Sequence, residues 1–309
     1  MTRVSTAGNY SAVLANLLAA QARQAQAGDV VASQKNGADL KGYARDAEML
    51  TSMRSINARN AGYLEQHKQI ADKLTVQDLA FTKIADSALG VRDALAAAVA
   101  SNRADTVMQE LQEHFRNAID SLNMRYGGKY LFAGGAVDTM PVTANELSDL
   151  TAAASVSDVF QNDDYAVKSK IDDATTVRTG FLADEVGQEL FEALEAIQAY
   201  HEGPNGPLTG QLTDDQADFI KAQLGGLDDI HGRLTTVTAQ NGLLQNRVEQ
   251  VSDDVSRRED TLTGMMGDVT DADMAEAVSR LQMAQFSVQA SAQVFSMLQQ
   301  TSLLNFLKL

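Results

Sequence analysis

The sequence contains no cysteine and no tryptophan, and only three of its 309 residues are proline. Without cysteine the chain cannot build a disulfide scaffold, a thiolate metal site, an iron–sulfur cluster or a cysteine nucleophile. The prolines, Pro141, Pro204 and Pro207, leave long stretches uninterrupted, and those stretches are rich in Ala, Leu, Gln, Glu and Arg, which favour helices. We therefore expect long helices.

Positive charge is also scarce. Twenty-five Lys and Arg residues face 41 Asp and Glu residues, so the net charge is −16, which repels phosphate backbones and anionic lipid surfaces. We expect neither nucleic acid nor a membrane as a partner. No stretch approaches the roughly 20 apolar residues of a membrane helix, and residues 1–5 lack the features of a cleaved secretory signal. Composition alone leaves the compartment open.

A hydrophobic pattern with alternating steps of four and three residues runs from Met49 to Leu95, and the same spacing returns from Leu234 to Val269. A mean period of 3.5 residues is typical of coiled coils, and the first stretch alone predicts a helix of about 70 Å. The sequence therefore predicts a mainly α protein, built as a long antiparallel coiled-coil helical rod. Three polar residues fall on the first seam, where we expect them to set the register: Asn60, His67 and Gln77.

The helical period is lost in the middle of the chain. A shorter amphipathic helix over 107–122 is expected to end at Gly127 and Gly128. After it, short β-like runs around residues 130–132, 165–167 and 175–177 predict a small β-containing module. Residues 136–175 carry eight acidic side chains and two lysines, so we expect a solvated module with a thin core, in which residues 137–162 are dispensable for stability.

Helical spacing resumes over 185–200, breaks at residues 201–207 and restarts after Thr213, a good N-cap with Gln216 three residues later. The expected division of the chain has five parts: residues 1–45 and 269–309 as the two halves of an inner helical domain, 46–128 and 181–268 as the two arms of the rod, and 129–180 as the middle module.

Both ends of the chain are poor in charge, with five basic and two acidic side chains in residues 1–45 and two basic and three acidic in residues 270–309. Their remaining polar residues are mostly Gln and Ser, which cost less to bury than charges do. We therefore predict that the terminal helices pack against copies of the same chain. The predicted self-assembly residues are Leu14, Leu17, Leu18, Leu281, Val288, Phe295, Leu298, Leu303, Leu304 and Phe306.

No pattern in the sequence points to catalysis. The four histidines are scattered without the spacing of a helical metal site. The glycine-rich phrase at 127–135 follows a helix and continues after Lys129 with Tyr, which does not fit a phosphate-binding loop. The acidic residues at 268–276 lack the arrangement of a calcium loop, and Thr270 or Asp271 is expected to cap the last helix instead. We predict a protein without enzymatic activity, metal or cofactor.

Three phrases carry a resemblance to a known family. The chain opens with Arg-Val-Ser-Thr at 3–6 and Tyr10, it holds Asn-Met-Arg-Tyr-Gly-Gly-Lys-Tyr-Leu-Phe-Ala-Gly at 123–134, and it ends with Met-Ala-Glu-Ala-Val-Ser-Arg-Leu at 274–281 followed by Ser-Leu-Leu-Asn-Phe-Leu at 302–307. In these phrases and in its order of helices the chain resembles the flagellin family of axial proteins, and within it the hook-associated proteins of the hook–filament junction. The loop Gln-Lys-Asn-Gly at 34–37 departs from the family pattern, and the middle module is short.

The resemblance implies that the terminal helices pair into an inner core that becomes ordered on assembly. It implies a structural adaptor between hook and filament, with itself, flagellin, the hook-side junction protein and an export chaperone as partners. It also implies an extracellular location in the bacterial flagellum after export without a cleaved signal. Two alternatives stay open at this point: a flagellin of the filament itself, or a cytoplasmic coiled-coil scaffold.

Overall fold

The computed structural model describes the backbone of residues 2–307 and the side chains of residues 9–299. The chain divides into two compact units, one built from residues up to 60 together with those from 257 onward, and the other from residues 61–256. The seven α-helices of the described residues are α1 (Thr2–Ser33), α2 (Ala47–Ser101), α3 (Val107–Leu122), α4 (Leu147–Ala152), α5 (Ala183–Glu202), α6 (Asp214–Thr270) and α7 (Met274–Leu307).

Four short strands form two separate antiparallel pairs. Strands β1 (Arg125–Tyr126) and β2 (Lys129–Tyr130) make one hairpin, and β3 (Lys168–Lys170) and β4 (Thr176–Arg178) make the other. The predicted class, mainly α with long helices and a small β-containing middle, is confirmed. The boundaries of the five predicted segments remain a prediction.

Within residues 61–256, helices α2 and α6 run antiparallel. Arg92 lies 3.0 Å from Asp228, while further back along α2 the carbonyl of Leu74 accepts hydrogen bonds from the side chains of Asn241, at 2.9 Å, and Gln245, at 3.1 Å. The Asn241 amide is fully buried. Because a buried amide that loses its partner is costly, these bonds hold the two helices in one register. The register role predicted for Asn60, His67 and Gln77 of α2 remains a prediction, because the bonds come from α6.

The main core of this unit forms where α3 and α5 pack beside α2. Phe115 of α3 and Phe191 of α5 meet edge to face with their ring centroids 4.9 Å apart, and both are fully buried. Phe81 of α2 packs in the same way on Phe181, at 4.9 Å. Such aromatic pairs contribute beyond the area they bury, and they tie three helices into one cluster.

The middle segment is not the solvated module that its charge predicted. Val142, Leu147, Leu150 and Val159 are buried and belong to the main core of the unit. The acidic side chains between them lie mostly on the surface, where several serve as helix caps, as Asp149 does for Asn145 and Glu146. The expectation of a thin core is therefore wrong, because a few well-spaced apolar residues suffice to join a core that other helices provide. That residues 137–162 are dispensable remains a prediction, and their burial argues against it.

Local details of the β region also differ from prediction. Helix α3 ends at Leu122, and Gly127 and Gly128 instead form the turn of the β1–β2 hairpin, with φ angles of +59° and +82°. A two-residue hairpin turn of this kind needs positive φ at both positions, which suits glycine. Residues 165–167 do not form a strand, and β3 begins one residue later.

The two predicted helix starts have different outcomes. The Thr213 cap is confirmed: its hydroxyl accepts from the Gln216 amide at 3.3 Å, and the Gln216 side chain accepts from the Thr213 amide at 3.1 Å. At α7 the cap is Asp273, whose carboxylate accepts from the amides of Ala275 and Glu276. Thr270 is the last residue of α6, so neither Thr270 nor Asp271 caps α7 as expected.

Candidate self-association surface

In the unit that contains the chain ends, α1 packs along α7. The residues of low exposure repeat on both helices with steps of four and three, the spacing of a coiled-coil seam. On α1 they are Val13, Leu17, Ala20, Gln24, Ala27 and Val31, and on α7 they are Ala277, Leu281, Ala284, Val288, Ser291, Phe295 and Leu298.

The seam has large side chains at one end and small ones at the other. Near the chain termini, the rings of Tyr10 and Phe295 pack with centroids 5.1 Å apart. Further along the pair, the seam residues are mostly alanines, and Ala20 and Ala277 are the most buried residues of the seam. Helices approach each other closely where the contact residues are small. The two ends of the pair therefore present different surfaces.

The predicted assembly residues fall into three groups. Leu17, Leu281, Val288, Phe295 and Leu298 are half-buried and lie on the seam between α1 and α7 of the same chain. Leu14 and Leu18 lie outside the seam, and Leu18 is 56% exposed. The side chains of three further residues lie outside the described part of the chain: Leu303, Leu304 and Phe306. The role of all ten in contacts between copies remains a prediction.

Sequence reasoning missed a second apolar stripe on α7. Phe286, Val294 and Met297 are exposed, Phe286 to 73%, and their spacing of eight and three residues places them on one side of a helix, away from the seam. The spacing of these three residues is visible in the sequence. The predicted interface was placed instead on the apolar residues at 281, 288 and 295, which recur every seven residues. No charged residue occurs from 281 to 307. The stripe is therefore apolar and uncharged over the described part of α7.

The connections at the base of the helix pair are joined by a set of hydrogen bonds, which we call the latch (residues 34–37 with 270–272). The Asn36 amide donates to the Thr270 carbonyl at 2.8 Å, the Asn36 side chain donates to the Asp271 carbonyl at 2.8 Å, and the Ala272 amide donates to the Gln34 carbonyl at 3.0 Å. The ammonium group of Lys35 pairs with the Asp271 carboxylate. The latch thus connects the end of α1 to the start of α7.

The Tyr43 side chain adds hydrogen bonds to the latch. Its buried hydroxyl donates to the carbonyl of Thr270 at 3.2 Å or of Gly37 at 3.0 Å, and it accepts from the Gly37 amide at 2.8 Å. A Cβ atom on Gly42 would lie 2.9 Å from the Cα of Gly37, so this close approach of the backbone requires glycine. The loop that departs from the family pattern therefore has a well-defined structure of its own.

The latch predicts a dependence on pH. A hydrogen bond from Lys35, followed by one from Thr270, lowers the pKa of the Asp271 carboxyl below its ordinary value of 3.8. A depressed carboxyl pKa adds stability above the unfolded-state value, and that stability is lost as the pH falls through the folded-state value. We expect the protection factor of the Asn36 amide in hydrogen exchange to fall as the pH drops below about 4.

The Asp271→Asn variant is the control for this effect. It should show weaker protection of the Asn36 amide at neutral pH and lose the change at acid pH, because no carboxyl remains to titrate. Equal pH profiles for the variant and the wild type would show that the Lys35–Asp271 pair does not hold the latch. Both side chains are about half exposed, so the effect should be local and should weaken with added salt.

Three of the four histidines lie against the backbone of another segment of the chain. The His67 Nε2 lies 2.5 Å from the carbonyl of Ile171, and the His201 Nδ1 accepts from the Leu208 amide at 3.1 Å. His114 covers Gly90, where a Cβ atom would collide with the ring. Within the described residues, no three His, Asp or Glu side chains are grouped to hold a metal ion. None of the described helices is long and apolar enough to cross a membrane.

Comparison with known proteins agrees with this architecture. Residues 224–307 match the family model of the bacterial flagellin C-terminal helical region. No curated protein sequence matches the chain. A protein of Vibrio parahaemolyticus described as a flagellar hook-associated protein shares the fold with a TM-score of 0.59, at 16% identity over 72% of this chain and 97% of that chain. FlgL of Bacillus cereus follows with a TM-score of 0.52, at 14% identity over 71% of this chain and 99% of that one.

The match to the flagellin C-terminal helical region covers residues 224–270 of α6 and continues through α7. The resemblance stated from its sequence phrases is confirmed. Its fold is shared with the Vibrio hook-associated protein and with FlgL.

Proposed function

We propose that this protein is the structural adaptor at the hook–filament junction of the bacterial flagellum, where copies of the chain assemble through the α1–α7 pair. The carrying observation is the uncharged apolar stripe on α7, which the pairing with α1 leaves exposed. Burial of such a stripe between copies removes apolar surface from water without removing any charge from it.

The comparisons support this assignment. The Vibrio protein is described as a flagellar hook-associated protein, and both it and FlgL share the fold over about 70% of this chain. A junction adaptor contacts flagellin on one side and the hook-side junction protein on the other. Before assembly, an export chaperone covers the charge-poor terminal helices, and the chain leaves the cell without a cleaved signal. It carries out no catalysis.

The second candidate is a filament flagellin, and one observation favours it: the family model that matches residues 224–307 is that of flagellin itself. The two functions require the same kind of helix pair. They differ in where the protein is found and in how many copies each flagellum contains, so location decides between them.

Immunogold labelling of intact flagellated cells tests the proposal. We expect gold particles in a single band at the distal end of the hook. Label along the whole filament would establish the flagellin alternative, and label confined to the cell interior would overturn both. As an independent readout, deletion of the gene should leave hooks without filaments and release flagellin into the medium, whereas loss of a flagellin would leave the junction band in place.

A further inference from the structure

Three asparagines of the chain are each followed by a glycine: Asn36, Asn205 and Asn241. An asparagine in this position can lose its side-chain amide without an enzyme. The backbone nitrogen of the glycine attacks the asparagine Cγ atom, the Cγ–Nδ2 bond breaks, and the amide leaves as ammonia with the proton of that nitrogen. Glycine has no side chain to obstruct the ring closure. Water then opens the succinimide: cleavage of the new N–Cγ bond gives aspartate, and cleavage of the original main-chain bond gives isoaspartate.

The three dipeptides have different surroundings. Asn241 lies inside α6, is fully buried, and donates from its amide to the Leu74 carbonyl at 2.9 Å. Its side chain therefore cannot turn toward the nitrogen of the next residue. Asn205 is exposed in the turn between α5 and α6. Asn36 belongs to the latch, so its reaction depends on whether the latch is closed.

The closed latch engages both groups that would react at Asn36. The Asn36 Nδ2, which is the leaving nitrogen, donates to the Asp271 carbonyl at 2.8 Å. The Gly37 backbone nitrogen, which is the nucleophile, donates to the Tyr43 hydroxyl at 2.8 Å. Gly37 is also closely packed, since a Cβ atom there would lie 3.0 Å from the Cα of Gly42 and 3.2 Å from the Tyr43 ring. Neither group is free to turn toward the other while these contacts persist.

The latch has the features of a segment that opens locally. Gln34 has a φ of +59°, a left-handed conformation that costs free energy in a residue other than glycine. The Lys35–Asp271 pair is about half exposed on both sides, so it contributes little against opening. Segments of this kind open far more often than the whole unit unfolds. Each opening frees Asn36 and Gly37 and admits the water that the second step consumes.

We propose that Asn36 is a deamidation site gated by the latch: the closed latch protects the amide, and each opening exposes it to conversion. The product cannot rebuild the latch. A carboxylate at position 36 has no hydrogen to donate to the Asp271 carbonyl, and it adds negative charge beside a residue that is already an anion. Isoaspartate also adds one carbon to the main chain before Gly37. The modification therefore makes an opening of the latch permanent, in a single copy and without any partner.

Peptide mapping by mass spectrometry of the purified full chain, incubated at neutral pH, measures the conversion of each asparagine. Asn36 should react at least about tenfold more slowly in the folded chain than in the chain unfolded in urea, as expected for a latch that is mostly closed. Tyr43→Phe removes the hydroxyl that accepts from Gly37 and keeps the ring, so it should speed the reaction about fivefold. Tyr63→Phe, which removes a hydroxyl bound to Asp173 instead, is the matched control and should change nothing. The rates at Asn205 and Asn241 should be the same in all three proteins.

Hydrogen exchange of the converted protein tests whether the change is permanent. The Ala272 amide, which donates to the Gln34 carbonyl in the closed latch, should exchange faster once position 36 is converted. Slow exchange of Ala272 after conversion would overturn the one-way step. Equal rates at Asn36 in the folded and unfolded chain, or in wild type and Tyr43→Phe, would overturn the gating. If circular dichroism shows that Tyr43→Phe loses helix, Lys35→Gln, which removes the pair with Asp271, takes its place with the same expected acceleration.

Discussion

Leu150→Ala is expected to lower the free energy of unfolding of the unit formed by residues 61–256 by about 2–5 kcal/mol. Leu150 belongs to the middle segment, lies on α4 and is only 1% exposed, within the main core. Helix α4 packs on α5. Deletion of the Leu150 side chain therefore leaves a cavity between the two helices, which they cannot close by moving together. Urea denaturation followed by circular dichroism measures the change.

Met140→Ala in the same segment provides the control. Met140 is 42% exposed. Substitutions of exposed residues outside the core usually change the free energy of unfolding by less than about 0.5 kcal/mol. A loss below about 1 kcal/mol for Leu150→Ala would contradict the core assignment. It would support the original expectation, from composition, that this segment can be exchanged for a flexible linker.

The second large effect is expected for Ile171→Asp. Ile171 follows β3 and is fully buried in a separate apolar cluster formed by α2 and α6, with Leu74, Val248 and Val255 among its members. An unpaired carboxylate in this cluster should cost about 3 kcal/mol or more. The unit can limit the loss by releasing the β3–β4 hairpin, so we expect the hairpin to detach before the helices unfold.

Two further contacts should be lost with the hairpin. The His67 ring lies against the carbonyl of Ile171, and the Tyr63 hydroxyl donates to the Asp173 carboxylate at 2.9 Å. Hydrogen exchange should therefore show fast exchange of the β3 and β4 amides in Ile171→Asp, with slow exchange retained in the main core. Thr176→Asp, on the exposed side of β4, should leave the exchange rates of the hairpin amides and of the main-core amides unchanged. Continued protection of the hairpin in Ile171→Asp would show that Ile171 does not anchor it.

The middle segment shows why a prediction from composition alone was wrong. Eight acidic residues in residues 136–175 predicted a solvated module, yet Leu147, Leu150 and Val159 are buried. Net charge reports how much of a segment must face water. It does not report whether the few apolar residues between the charges meet a core supplied by other helices, and here α3 and α5 supply it.

The terminal helices show the same limit in another form. The seven-residue spacing of Leu281, Val288 and Phe295 correctly placed them on one face of α7, and the structure packs that face along α1 of the same chain. A helical period identifies the residues that share a face, but it does not identify the surface that covers them. The exposed stripe at Phe286 became visible only after the seam was occupied.

By itself, the sequence determined the long helices, the polar seam positions, the Thr213–Gln216 cap and the charge-poor ends, because periodicity, capping and charge are local properties of the chain. The tertiary structure decided which apolar faces are covered and which remain exposed: the burial of the middle segment, the anchoring of Ile171 between α2 and α6, the latch at Lys35–Asp271 and the exposure of Phe286. Each of these depends on residues far apart in the chain, and their contact is set by how whole helices pack.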